Sequence, residues 1–391
     1  MQAARERADR FIFHGGYMLR SFCFVVLSGF LLVWSAPAQE DSAQRGDALT
    51  LGVGNNGISF GNSPRHNGVR FNWSDANIET INGLNFTLWK PGEPLSGTIN
   101  GVSFGVVASG ANYLNGLSIG GLAVIGRNAI TGVSLGGLAV VSQGSLVGVN
   151  VGGLAVVGAS EVNGLSGVSS IAGISVGGLA VVTQGSATGI NLGGLAVVGK
   201  GALTGINLGG MAMVSEASIR GVNIGGLAIV GKEAVSGLNF GGLAIVSEGS
   251  VHGLNIGGLA VVGLGGIKGL TVAGIGIVSK SDIVGLNVTL GDLRSDKPDD
   301  KISIRGINVG GYRIRAKELS GINLSVAMTI AENTKGVTVG CYNRVEGTQR
   351  GISIGLLNHA AELFGVQIGL INWAENNPAY LRILPFVNLH L

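Results

Sequence analysis

Gly221-Val-Asn-Ile-Gly-Gly-Leu-Ala-Ile-Val-Gly-Lys-Glu-Ala-Val-Ser236 decides the fold, because it returns with small changes every sixteen residues between Gly116 and Val284. Units open at Gly116, Gly132, Gly148, Gly173, Gly189, Gly205, Gly221, Gly237, Gly253 and Gly269, and only the stretch around Leu165–Ala172 lengthens one of them. A fixed short period is the mark of a repeat architecture. Within the unit, apolar side chains stand at positions two and four (Val222, Ile224), seven and nine (Leu227, Ile229) and fifteen (Val235), and these five form the expected core. The Gly-Gly pair between the two couples predicts a corner, since residues without Cβ bend where β-branched neighbours would clash.

Alternation with period two on each side of that pair predicts strands. A helix is excluded by the glycines, each costing about 1 kcal/mol against alanine in a helix interior. One unit alone cannot offset the entropy of ordering its own backbone, so its stability has to come from neighbours stacking upon it. Charged residues agree: Arg127, Lys200, Glu216, Arg220, Lys232, Glu233, Glu248, Lys268 and Lys280 all follow position ten and mark the turns.

Position eleven alternates through ten units as Gly126, Ser142, Gly158, Thr183, Gly199, Ser215, Gly231, Ser247, Gly263 and Ser279. Two explanations fit: 32-residue pairs within a single-coil stack, or consecutive turns on opposite rims of a two-sided coil or meander.

The 391 residues include 71 glycines, with 12 % charged and 5 % aromatic side chains, far from an ordinary soluble domain. One elongated body is expected rather than several globular ones. A net charge of +3 gives no case for nucleic acid. Cys23 falls in the leader and Cys341 is the other cysteine, so no internal disulfide is expected, and Cys341 reads as a buried apolar filler.

Residues 1–38 read as an export signal, with Arg20 before the apolar run Phe22–Trp34 and a small-x-small cleavage site at Ala36-Pro37-Ala38. The n-region is long, and Met18 would serve as a better start. Residues 39–67 are polar and read as a linker or cap. Irregular repeats follow at 68–115, the regular array at 116–284, a charged insertion at 285–305 and shorter repeats at 306–391, ending in Tyr380–Leu391 as a closing strand or an assembly signal. Four carboxylates in Gly291–Lys301 meet no calcium-loop spacing and read as a solvated turn.

Catalytic patterns occur and do not hold. Gly-x-Ser-x-Gly, the nucleophile-elbow pattern, appears at 101–105, 116–120, 132–136, 173–177 and 351–355. The slot of Ser118, Ser134 and Ser175 is filled by Asn150, Asn191, Asn207, Asn223, Asn239 and Asn255 in sister units, which a nucleophile could not tolerate. A polar file hydrogen-bonded along the array is the physical reading. Gly52-Val-Gly-Asn-Asn-Gly57 matches the dinucleotide fingerprint by letters, but no helix pattern follows it. His14, His66, His252, His359 and His390 are isolated, and a single Asn/Ser file is not the paired Thr array of an ice-binding surface. No catalytic, cofactor-binding or metal-ligating residue is assigned, and no cofactor is expected.

Gly351-Ile-Ser-Ile-Gly-Leu-Leu-Asn358 and Gly365-Val-Gln-Ile-Gly-Leu-Ile-Asn372, with Leu384-Pro-Phe-Val-Asn388 after them, resemble bacterial surface repeat-containing proteins built of tandem Gly-Leu-Gln-Ile-Gly-Leu-Ile-Asn units. Asn82-Gly-Leu-Asn-Phe86 resembles the entry segment of that family, and the likeness spans Gly68 to Leu391. The resemblance implies an exported, envelope-associated protein, with outer-membrane or envelope components as the class of partner, and carries over no catalytic residue. Related chains often end in Phe, where this one has Leu391. The central Gly-Gly-Leu-Ala units depart from the Gly-Leu-Ile-Asn half.

The sequence therefore predicts an all-β, parallel β-solenoid of units of roughly 14–16 residues, acting as a non-enzymatic surface or envelope scaffold. At about 4.8 Å per coil, roughly twenty units make a rod of about 95 Å. The alternative is an up-and-down outer-membrane β-barrel with one strand per unit, acting as a pore or surface protein.

Overall fold

The computed structural model describes residues 48–159, 170–295 and 302–390. It contains 32 strands in one continuous hydrogen-bonded sheet, wound into a parallel β-solenoid of about 18 turns. The expected export signal lies outside the described residues. Strand Ile219–Gly225 pairs in parallel with Leu203–Gly209 before it and Val235–Gly241 after it. Ala228–Gly231 does the same with Ala212–Ser215 and Ala244–Ser247. An up-and-down barrel needs antiparallel neighbours throughout and is excluded.

Antiparallel pairing closes the two ends. The stretch expected as a linker or cap holds a hairpin, Ala48–Val53 with Asn56–Gly61, on which the first coil is laid. At the other end Ile383–His390 runs antiparallel to Leu357–Ala374, so the terminal alternating segment is a closing strand. The charged insertion is narrower than its sequence suggests. Asp292–Ser295 still pairs in register with Gly276–Ser279, and residues 296–301 lie outside the described residues. Residues 160–169 of the lengthened unit also lie outside them, and Ile171 is in register with Leu146.

Each regular coil has three corners, at positions one, seven and thirteen, separated by six, six and four residues. In the central unit these are Gly221, Leu227 and Glu233, all exposed. Between the corners the odd positions turn inward: Asn223, Gly225, Ile229, Gly231 and Val235 are buried. This corrects the expected core. Ile229 and Val235 are inside, whereas Val222 is half-buried, and Ile224 and Leu227 stand outside with 41 % and 43 % of their surface exposed. The cause is the polar residue between Val222 and Ile224. In-register stacking lets a buried Asn such as Asn223 satisfy its amide on its own copies above and below.

That file is continuous from Asn191 to Asn255, whereas Asn150, stacked between Ser134 and Ser175, makes no such bond. Asn191 Nδ2 donates to Asn207 Oδ1 at 2.9 Å, Asn207 to Asn223 at 3.0 Å, Asn223 to Asn239 at 2.8 Å and Asn239 to Asn255 at 2.8 Å. A second file replaces the aliphatics at position nine near the C-terminus, where Asn343 donates to Asn358 and Asn358 to Asn372, each at 2.8 Å. Asn358 and Asn372 are the asparagines that close the two units carrying the family resemblance. Replacing Asn223 by Ala would leave the Asn207 amide donor and the Asn239 acceptor unpaired and buried. At about 1–3 kcal/mol for each unsatisfied group, urea unfolding should register a loss of about 2–4 kcal/mol, and a loss no larger than at Ser236→Ala would contradict the file.

Gly221 shows why position one cannot vary. Its φ is 110°, a region closed to side chains, and a Cβ there would sit 2.1 Å from the carbonyl oxygen of Gly205. The same positive φ recurs down the column from Gly57 to Gly365, each member of the array registered on the last. Position eleven also resolves. Gly199, Ser215, Gly231 and Ser247 are successive lateral partners in one column, so the alternation lies within a single-coil stack and not on opposite rims. Ser215 Oγ donates to Gly201 O at 2.9 Å, Ser247 Oγ to Glu233 O, and Ser279 Oγ to Gly263 O at 2.7 Å. A hydroxyl in one coil thus satisfies a carbonyl from the glycine-bearing coil before it, and that glycine leaves the space.

Candidate functional site: the outer faces of the rod

The residues that suggested chemistry are turned away from solvent. Ser103, Ser118, Ser134, Ser175 and Ser353 occupy the inward position three and are buried. Ser103 Oγ lies 2.6 Å from Ser109 Oγ. Buried in the stack between neighbouring coils, these hydroxyls cannot meet a substrate. Gly52–Gly57 forms the tip of the N-terminal hairpin, with Gly52 opposite Gly57, and no helix follows it.

The histidines are scattered. His66 is buried with Nε2 2.9 Å from Gly57 O, His359 Nε2 lies 2.9 Å from Glu375 Oε1, and His390 Nδ1 is 2.6 Å from Asn377 Oδ1. His252 stacks between Ser236 and Lys268, and His14 lies outside the described residues. No group of three or more His, Cys, Asp or Glu side chains gathers among the described residues. Cys341 is exposed, which corrects the expectation of a buried filler. It stands at the corner after Gly340, where its amide pairs with Val326 and its carbonyl with Leu356.

What the solenoid offers to solvent is apolar. Position two presents Val133, Ile174, Ile206 and Leu238, position four Leu135, Ile224 and Ile256, and position seven Leu179, Leu195, Leu227 and Leu243, all exposed. Position ten adds half-buried valines such as Val214, Val230 and Val246 on the adjoining side. In-register pairing turns these into unbroken columns, because Leu208, Ile224 and Phe240 are lateral neighbours, as are Ile206, Val222 and Leu238. Contiguous columns of this kind differ from the scattered single apolar side chains of an ordinary monomer surface.

The N-terminal coils carry the aromatic version of the same columns. Phe60, Phe71, Phe86 and Phe104 stand at position four and stack with centroids 5.0–5.7 Å apart, and Trp73 stacks on Trp89 at 6.1 Å. An open cleft of about 240 Å³ lies between the two ladders, lined by Phe71, Trp73, Phe86 and Leu88. Beneath it Arg70 takes the inward position three, fully buried. Its guanidinium donates to Asp75, to Asn62 and, at 2.7 Å, to Asn85 Oδ1. Asp75 also accepts from Asn72 at 2.7 Å and from Thr87 Oγ1 at 2.6 Å. This is a polar plug sealing the apolar interior, with every carboxylate oxygen engaged.

Sequence reasoning reached the inward serine and asparagine file but missed the outward aliphatic columns. The available signal was parity. Asn223 shares odd spacing with Ile229 and Val235, whereas Val222 and Ile224 do not. Comparison with known protein families, with curated proteins and with solved structures yields no match.

Proposed function

We propose that this chain is an exported, envelope-associated rod that works as a structural or binding scaffold and carries out no turnover chemistry. One observation carries the reading: every regular coil turns the serine, asparagine or threonine of position three inward and the same apolar pattern outward, so the surface is a repeated contact strip. Repeat solenoids use such extended surfaces to hold partners. Export rests on the leader-like residues 1–38 and on the resemblance of the C-terminal units to bacterial surface repeats.

Expression of the full chain in a Gram-negative host, followed by fractionation and N-terminal sequencing, tests this. The expected result is a processed chain beginning at Gln39 in the envelope fraction. An unprocessed chain confined to the cytoplasm would reject it.

A further inference from the structure

The outward apolar columns do not form one flat face. Positions two and four cover one side of the coil, position ten covers the next, and the leucine column at position seven is the ridge where they meet. A flat partner, including a second rod, covers one side of such a ridge and leaves the other wet. A fluid hydrocarbon surface covers both.

Charge points the same way. Column sixteen borders the position-two column across the glycine corner, and along the array it holds no acidic residue from Asn67 to Phe364. Its charged members are the exposed cations Arg220, Lys268, Arg305, Lys335 and Arg350, kept in line by the register. Among the described residues from Gly116 to Gly365, the carboxylates stand in the turn of positions twelve to fourteen, as Glu216, Glu233 and Glu248 do. The exception is Asp292, which is neutralised by Arg313 at 2.6 Å. An apolar ridge whose position-two side is bordered by cations, with its acids in the turn beyond position ten and one of them, Asp282, paired with a column-sixteen cation, Arg305 at 3.9 Å, matches a surface of hydrocarbon beneath anionic headgroups.

We propose that the solenoid lies lengthwise on an anionic lipid surface, its leucine ridge in the hydrocarbon boundary and column sixteen at the phosphates. This rests on the scaffold reading and names the surface that the scaffold holds.

Vesicle flotation of the purified full chain tests it, with vesicles of phosphatidylcholine alone and vesicles in which a third of it is replaced by phosphatidylglycerol. The wild-type chain should float with the anionic vesicles and lose that preference in high salt. Arg220→Ser, Lys268→Ser and Lys335→Ser together should weaken binding on the order of 100-fold, at about fivefold per cation. Leu227→Ser, Leu243→Ser and Leu259→Ser together should weaken it at least about tenfold by removing the apolar anchor. All six side chains are exposed, and an unchanged circular dichroism spectrum checks that each variant is folded.

Binding that survives either triple variant, or no preference for the anionic vesicles, overturns the proposal. A wild-type chain that ignores both vesicles but self-associates, and becomes monomeric in the leucine variant, overturns it too and assigns the ridge to a second copy. In either case export and envelope fractionation still decide the scaffold reading separately.

Discussion

Gly221→Ala is expected to destroy the stack around the central coil, with a loss of more than about 4 kcal/mol and a chain that is largely insoluble or cleaved in limited proteolysis near residue 221. Two effects add. The backbone sits at φ 110°, and the new Cβ would lie 2.1 Å from the Gly205 oxygen, with Gly205 C and N at 3.0 and 3.1 Å. Those atoms belong to the backbone of the preceding coil and cannot swing away as a side-chain tip would.

Gly54→Ala separates the two contributions. Gly54 has φ 62° in the hairpin turn, and nothing lies within 4 Å of its Cβ direction. It should lose only the roughly 1–2 kcal/mol of a left-handed alanine. Equal losses at the two sites would show that torsion alone, and not the approach of coil to coil, fixes the glycine column.

The second large effect separates inside from outside. Ile229→Asp places a carboxylate where the native side chain has no exposed surface. Among Met213, Ile245 and the other aliphatics of the core it finds no cation, so it must stay protonated or remain charged at a cost of several kcal/mol. Ile224→Asp, two residues beyond Val222 on the same coil, keeps its new charge in water and forfeits contact with Leu208 and Phe240, about 1 kcal/mol. Denaturant titration of the two variants should therefore differ by at least about 3 kcal/mol. Matching losses would return Ile224 to the core and reverse the parity of the coil.

The period, a bend beside the Gly225-Gly226 pair and the stacking of near copies were all legible in the sequence, while the corners at Gly221 and Glu233 were not. The direction of the side chains was not. Read alone, Val222-Asn-Ile224 looks like two buried aliphatics around a surface amide, since an isolated Asn in a core is costly. The cost vanishes only when Asn207 and Asn239 lie one strand away in the same register, a fact of tertiary structure that no local window contains. The alternation at position eleven was visible, but its cause, a hydroxyl reaching the turn carbonyl of the coil before it, needed the stack. Cys341 illustrates the same limit, for a lone thiol is read by its type, and its corner is set by the coil.

The inner amide file has one further property. From Asn191 to Asn255, again from Asn287 to Asn323 and from Asn343 to Asn372, the donated protons point toward the C-terminal end. Backbone dipoles in a sheet largely cancel; these side chains do not. They give the interior an electrical polarity, negative toward the first coils and positive toward the last. The outer Asn82, Asn100 and Asn115, the hydroxyls of Ser215, Ser247 and Ser279, and Gln367 near the C-terminus donate the other way and offset part of it. The amide file is thus a vector along the axis of the array, fixed by the order in which the coils were laid down.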